Sequence, residues 1–171
     1  TFSGKLIQFG MRHQKEITYA VTGVVALIVL IAGYRFFSIR SENKAMFLLN
    51  QAVAKYEKSM QAGDANQAYH NVAEDFESLL GQYGNKEGGR LAAVTFANIC
   101  FDAGEYNRSI ELYEKALDHF KPHPILYNLI LSGLGYAHGQ INQNDRAASY
   151  FEKIITSDDK TLHDEALFNL G

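Results

Sequence analysis

The chain has 171 residues, 47% of them hydrophobic, and a formal charge of −3, so it is too apolar for disorder and long enough for one modest domain rather than a large multidomain enzyme. The charge is unevenly placed: residues 1–40 hold five Lys and Arg against one Glu (+4), and residues 41–171 hold eleven against eighteen acidic residues (−7). An acidic body argues against a nucleic-acid partner, because phosphate binding needs clustered Lys and Arg. The single cysteine, Cys100, excludes a disulfide framework within the chain and a Cys-rich zinc module.

The chain opens on Thr1 rather than on methionine, which predicts a fragment of a longer product or a missing start. Residues 1–16 form a juxtamembrane segment in which Phe2, Leu6 and Phe9 share one possible helical face, either an interfacial segment or a plain N-terminal extension of the apolar span. From Ile17 to Tyr34 no charge interrupts the apolar run, and adding Arg35 to Phe37 predicts a helix over 17–37. At about 1.5 Å per residue this span is roughly 31 Å long, the thickness of a hydrocarbon core. Tyr19 and Tyr34 sit near its ends, where amphipathic rings favour the headgroups, and Lys15 and Arg35 can snorkel outward. A buried helix of a soluble protein rarely runs this long without a polar face. A cleaved signal peptide is disfavoured because no small-residue cleavage site comes after the span; the next residues are GYRFFSIRSEN. Lys5, Arg12 and Lys15 before the span balance Arg35, Arg40 and Lys44 after it, so charge alone leaves the orientation open.

Beyond Arg40 the apolar spacing is helical. Leu49, Ala52, Val53, Tyr56 and Met60 lie on one stripe, and Ala68, Tyr69, Val72, Phe76, Leu79 and Tyr83 on another, which predicts a loosely repeated helical hairpin over 41–83. Gly63 is expected to end the first helix in a left-handed conformation and Asp64 to cap the second. The glycine-rich stretch 84–89 is expected to be a loop; no Gly-Lys-Ser/Thr comes after it, so it lacks the signature of a phosphate cradle. Pro122 and Pro124 fall between helical stretches, and no alternating strand pattern with hairpin turns appears.

Residues 90–121 and 128–159 repeat one pattern of helix, short polar turn and helix. Ala93, Phe96, Ala97 and Cys100, then Gly104-Glu-Tyr106, then Ser109, Tyr113 and Ala116, correspond to Leu131, Leu134, Gly135 and His138, then Ala147, Phe151 and Ile154. Ala166 to Gly171, ALFNLG, opens a third unit, and its unfinished helix predicts that the native chain continues past Gly171. The region 90–171 resembles the tetratricopeptide repeat, whose period is about 34 residues. The resemblance implies an all-α fold, one transmembrane helix followed by a right-handed α-solenoid, in which small residues such as Ala97 and Gly135 admit the paired helix and Tyr113 and Phe151 fill the gap toward the next unit.

Little in the chain points to catalysis, and neither an enzyme nor a cofactor is expected. Cys100 occupies a packing position and reads as an inert thiol. His119 and His123 have metal-ligand spacing, but Pro122 breaks the helix that would present them together. His13, His70, His138 and His163 are scattered, and the carboxylates Glu74, Asp75, Glu77, Asp158 and Asp159 read as solvated faces or caps. Repeat stacks do present a concave groove lined by the first helix of each unit. By analogy with the repeat, the partner-binding positions are Leu91, Val94, Asn98, Phe101 and Asp102 in the first unit and Leu129, Ser132, Tyr136 and Gln140 in the second. The Lys and Asn set by which some tetratricopeptide domains clamp a C-terminal carboxylate is not assembled, since only Asn98 and Asn169 match it. Self-association is a further option, because terminal repeats expose apolar faces and Ala20, Gly23 and Ala26 permit close helix approach without forming a GxxxG motif.

The span running into GYRFFSIRSENKA, the joint QYGNKEGGRLAAVTFANICFDAGEYNRSIELYEKAL and the second unit together resemble the bacterial family of ancillary Sec-translocon subunits. That resemblance implies a single-pass inner-membrane protein with a cytoplasmic N-terminus and a periplasmic repeat domain. It implies translocon subunits and periplasmic chaperones as partners. The expected function is a membrane-anchored scaffold or chaperone-like adaptor, with a dedicated structural accessory subunit of a larger membrane complex as the alternative.

Overall fold

The structure, a computed structural model, describes residues 14–171. The candidate interfacial face of Phe2, Leu6 and Phe9 lies outside these residues. Seven helices and no strand occur among the described residues: α1 (Gln14–Ala62), α2 (Ala65–Tyr83), α3 (Glu87–Asp102), α4 (Tyr106–Phe120), α5 (Pro124–Gln140), α6 (Asn144–Ile155) and α7 (His163–Leu170). The chain divides into two compact units, one ending at Ser41 and one from Glu42 to Gly171.

Helix α1 runs without a break through residues 38–40, joining the predicted span to the first helix of the predicted hairpin. From Tyr34 to Ala62 there is neither glycine nor proline, so nothing interrupts its hydrogen-bond ladder. Its best 18-residue window has a mean hydropathy of 2.1 and contains no buried residue. By length and composition it is the one helix among the described residues that meets the requirement for crossing a membrane.

In the second unit the periodic stripes become the core, except at Met60, which lies two residues from the end of α1 and is exposed. Ala45, Leu49 and Ala52 of α1 are buried, as are Ala68, Val72, Phe76 and Leu79 of α2. Phe76 stacks on Phe96 of α3 with centroids 4.9 Å apart and planes 3° from parallel, and Tyr69 stacks on the same Phe96 at 6.0 Å. An aromatic pair of this kind adds about 0.5–1.5 kcal/mol to its burial. Asp64 caps α2 as expected, accepting from the Gln67 N–H at 2.8 Å. Gly63, however, does not adopt the left-handed conformation assigned to it, since its φ is not positive.

The glycine-rich loop is shorter than expected, because Gly88 and Gly89 lie in the first turn of α3. Both are required by packing rather than by a turn. A Cβ on Gly88 would stand 2.7 Å from the Met46 nitrogen, and one on Gly89 would stand 1.9 Å from the Tyr83 carbonyl oxygen. The N–H of Gly88, free of any partner within the helix's first turn, donates to Glu42 at 2.7 Å, so a carboxylate from α1 caps α3 where the helix dipole favours negative charge. Pro124 likewise belongs to α5 rather than to a connection. It occupies the first helical turn, where the missing N–H costs nothing, and α5 therefore starts four residues before the expected unit at 128.

From α2 onward each helix packs on its successor, and α3 also touches α5. That nearest-neighbour pattern is the signature of a helical solenoid. The starts of α4 and α6 lie 38 residues apart, reproducing the sequence period. Small residues set the spacing between helices. A Cβ on Gly135 would meet the Phe151 ring at 2.6 Å, and one on Gly133 would meet the Tyr113 ring at 2.4 Å, so Tyr113 of α4 reaches across to the next unit as anticipated. The third unit is tied on by Asn128. This buried amide at the start of α5 donates to Ser157 Oγ at 3.2 Å and to the Thr161 carbonyl at 3.2 Å. It thereby holds the turn that leads into Leu162, at φ 66°, and α7.

Candidate protein-binding groove

The groove positions expected from the repeat fall on the first helices α3 and α5. On α3, Asn98 and Asp102 are exposed, and Leu91, Val94 and Phe101 are half-buried against the core. On α5, Leu129 and Gln140 are exposed, Tyr136 is half-buried and Ser132 is buried. Spacings of three and four residues along each helix place each set on a single face.

Two features organise the α3 side. Tyr113, buried between α3 and α5, donates its hydroxyl to Asn98 and so holds that amide at the surface. Burial, and then the Asp102 charge, raise the Tyr113 pKa, which keeps the phenol protonated and donating. Asp102 ends α3 and faces Tyr56 of α1, whose hydroxyl is buried. Burial raises the Asp102 carboxyl above its usual range, and the Tyr56 hydroxyl opposes that rise. Phe101 meets Tyr106 edge to face at 5.4 Å.

On the α5 side the residues are engaged by the third unit. Ser132 donates to Glu165 of α7 at 2.8 Å, and Tyr136 accepts from Asn169 at 3.0 Å while packing edge-on against Phe151 at 5.4 Å. Tyr136 and Gln140 border a cleft of about 450 Å³ between α5, α6 and α7, with Asn169 and Leu170 on its far wall. Tyr136 and Gln140 are thus brought together at this cleft, whereas Leu91, Val94, Asn98, Phe101 and Asp102 lie on α3 outside it. Sequence reasoning missed Tyr56 as a neighbour of Asp102 and Glu165 as a partner of Ser132. Tyr56 was legible only as an apolar stripe position, and Glu165 only as a charge in a short third helix.

The groups weighed for chemistry are placed elsewhere. Cys100 is fully buried, and burial pushes its thiol up to about 12, so almost no thiolate forms at neutral pH. His119 sits in the last turn of α4 with Nε2 2.9 Å from Glu87 and 3.3 Å from Arg90, while His123 immediately precedes α5. Among the described residues no group of three or more His, Cys, Asp or Glu has the arrangement to hold a metal ion.

A family model described as tetratricopeptide repeat-like domain matches residues 13–143, taking in the apolar helix as well as the hairpins, and one described as tetratricopeptide repeat matches residues 130–161. No curated protein matches the chain. With well over half of its length covered, and with the stacked hairpins and ring-on-glycine joints that the repeat requires, the chain belongs to the tetratricopeptide repeat-like domain family.

Proposed function

We propose that this chain is a membrane-anchored scaffold or chaperone-like adaptor whose concave face holds other polypeptides. Tetratricopeptide repeats serve protein–protein interaction, and this chain combines them with a helix that has no buried residue in its apolar window. That exposed window carries the reading, since some 18 apolar residues cannot stay in water without a partner. Residues 17–37 are the bilayer contact, and Leu91, Val94, Asn98, Phe101, Asp102, Leu129, Ser132, Tyr136 and Gln140 are the candidate partner contacts. Tethering raises the effective concentration of the groove near the bilayer, so that modest affinity suffices. The resemblance to ancillary Sec-translocon subunits supports the bacterial inner membrane, a periplasmic repeat domain, and translocon subunits and periplasmic chaperones as partners.

The test is fractionation followed by affinity purification of the full chain in mild detergent, with identification of the proteins that accompany it. The reading expects a carbonate-resistant membrane protein that brings down translocon subunits together with several substoichiometric polypeptides. One stoichiometric neighbour and nothing else would make the chain a structural accessory subunit. Recovery in the soluble fraction would overturn the anchor.

A further inference from the structure

The concave face is not chemically uniform. Toward the N-terminal ends of α3 and α5 it is apolar: Ile125 is 57% and Leu129 47% exposed, and Leu91 and Val94 are half-exposed beside them in sequence register. Toward the C-terminal end of α3 it is acidic. Asp102 closes the helix and Glu105 lies three residues on, at the end where the helix dipole favours a cation.

None of the nine groove positions is Lys, Arg or His. Several carboxylates elsewhere on the second unit stand in ion pairs. Asp75 pairs with Lys55 at 2.6 Å, Glu77 with Arg108 at 2.6 Å, and Asp118 with Lys121 at 2.8 Å. Asp102 is exposed and has no such ion pair among the described residues, and the groups its charge acts on, the Tyr56 and Tyr113 phenols, carry no positive charge.

We infer that the groove receives a polypeptide segment that is apolar at one end and carries Lys or Arg at the other, seated with its apolar side chains on Leu91, Val94 and Leu129 and its cation at Asp102. This rests on the reading that the concave face holds polypeptides, and it adds the chemistry of what is held. The eleven residue steps from Leu91 to Asp102 rise roughly 16 Å along α3. An extended chain at about 3.3 Å per residue covers that distance in about five residues. The favoured ligand therefore places its cation about five residues from its apolar anchor.

The probes are three end-blocked, fluorescein-labelled peptides: Leu-Leu-Ser-Thr-Ser-Lys-Lys, the same peptide with Glu for Lys, and the same with Ser for Leu. Each is titrated by fluorescence polarisation against the full chain in detergent micelles. The Lys peptide is expected to bind at least about fivefold more tightly than the Glu peptide and more tightly than the Ser peptide, as charge complementarity beside an apolar anchor dictates. Asp102→Lys should abolish the preference for Lys over Glu. Its new cation sits at a helix C-terminus, so folding is retained and circular dichroism verifies this. Glu114→Lys makes the same charge change on the exposed side of α4 and should alter affinity less than about twofold. Leu129→Ser should weaken the Lys and Glu peptides alike.

Equal effects of Asp102→Lys and Glu114→Lys would show attraction to the acidic body as a whole and overturn the inference. So would equal binding of the Lys and Glu peptides, or no binding of any peptide. Photocrosslinking from residue 129 in membranes separates this from the broader reading: captured polypeptides would leave the groove as a binding face with a different ligand chemistry, whereas no captured polypeptide would remove both.

Discussion

Gly133 offers the sharpest test of how the repeats are joined. A Cβ there would stand 2.4 Å from Cζ of Tyr113 and 2.7 Å from its hydroxyl oxygen. Ordinary contact begins about 1 Å further out, so the ring or α5 must retreat by that amount. The ring cannot swing freely, because Tyr113 is 3% exposed and its hydroxyl is bonded to Asn98. Overpacking of this kind costs about 1–3 kcal/mol. The gain in helix propensity from glycine to alanine returns about 0.5–1 kcal/mol, leaving a net loss of about 0.5–2 kcal/mol. For a folded unit of this size that lowers Tm by roughly 2–8 °C. Gly81, in the body of α2, is the internal control, since a Cβ there meets nothing within 4 Å. Gly81→Ala should therefore raise Tm by a few degrees while Gly133→Ala lowers it, both followed by circular dichroism at 222 nm on the full chain in mild detergent. Tyr113→Leu should remove most of the penalty of Gly133→Ala, a coupling of about 0.5–3 kcal/mol between touching residues. If Gly133→Ala stabilised the chain as Gly81→Ala does, Tyr113 would not bridge the two units.

Other joints and caps respond to single substitutions in the same way. Asp64→Ala removes the side-chain acceptor at the start of α2 and should cost about 0.5–2 kcal/mol in urea unfolding, with Asp64→Ser retaining most of the stability. Glu42→Ala leaves the Gly88 N–H without its carboxylate and should cost about 1 kcal/mol, whereas Glu42→Asp, too short to reach, should behave like the alanine variant. Cys100 should resist maleimide at pH 8 until the chain is unfolded, and rapid labelling of the native chain would contradict its burial. The Cys100 thiol also predicts a direction with pH. It ionises near its ordinary value of 9.0 when unfolded and near about 12 when folded, so between those values the unfolded chain binds fewer protons. Stability from this group is complete below pH 9 and falls as pH rises through that window, a slope that Cys100→Ala should flatten.

The helices were legible because their signals are local. The stripes Leu49–Ala52 and Val72–Phe76–Leu79 identify buried faces by spacing alone, and Asp64 announces a cap. The joints were legible where residue size carries the information, as in Gly135 beside Phe151 and Tyr113 reaching the next unit. What escaped depends on residues distant in sequence. Gly88 and Gly89 look like a loop until Ala45–Met46 and Tyr83 are brought against them, and only then does their lack of a side chain read as close packing within a helix. Pro124 looks like a breaker, yet at a helix start its fixed φ is an advantage. In the groove, analogy with the repeat supplied the positions but not their state. Ser132 is short and polar, and nothing in its neighbourhood along the chain reveals that Glu165 of α7 takes its hydroxyl.

Site-specific photocrosslinking in intact membranes tests the central claim most directly, with the crosslinker placed in turn at Leu129, exposed on the concave face, and at Glu114, exposed on α4. The account predicts that position 129 captures other polypeptides and that position 114 captures few or none. Equal capture from both positions, or capture from 114 alone, would contradict a groove that grips its partners.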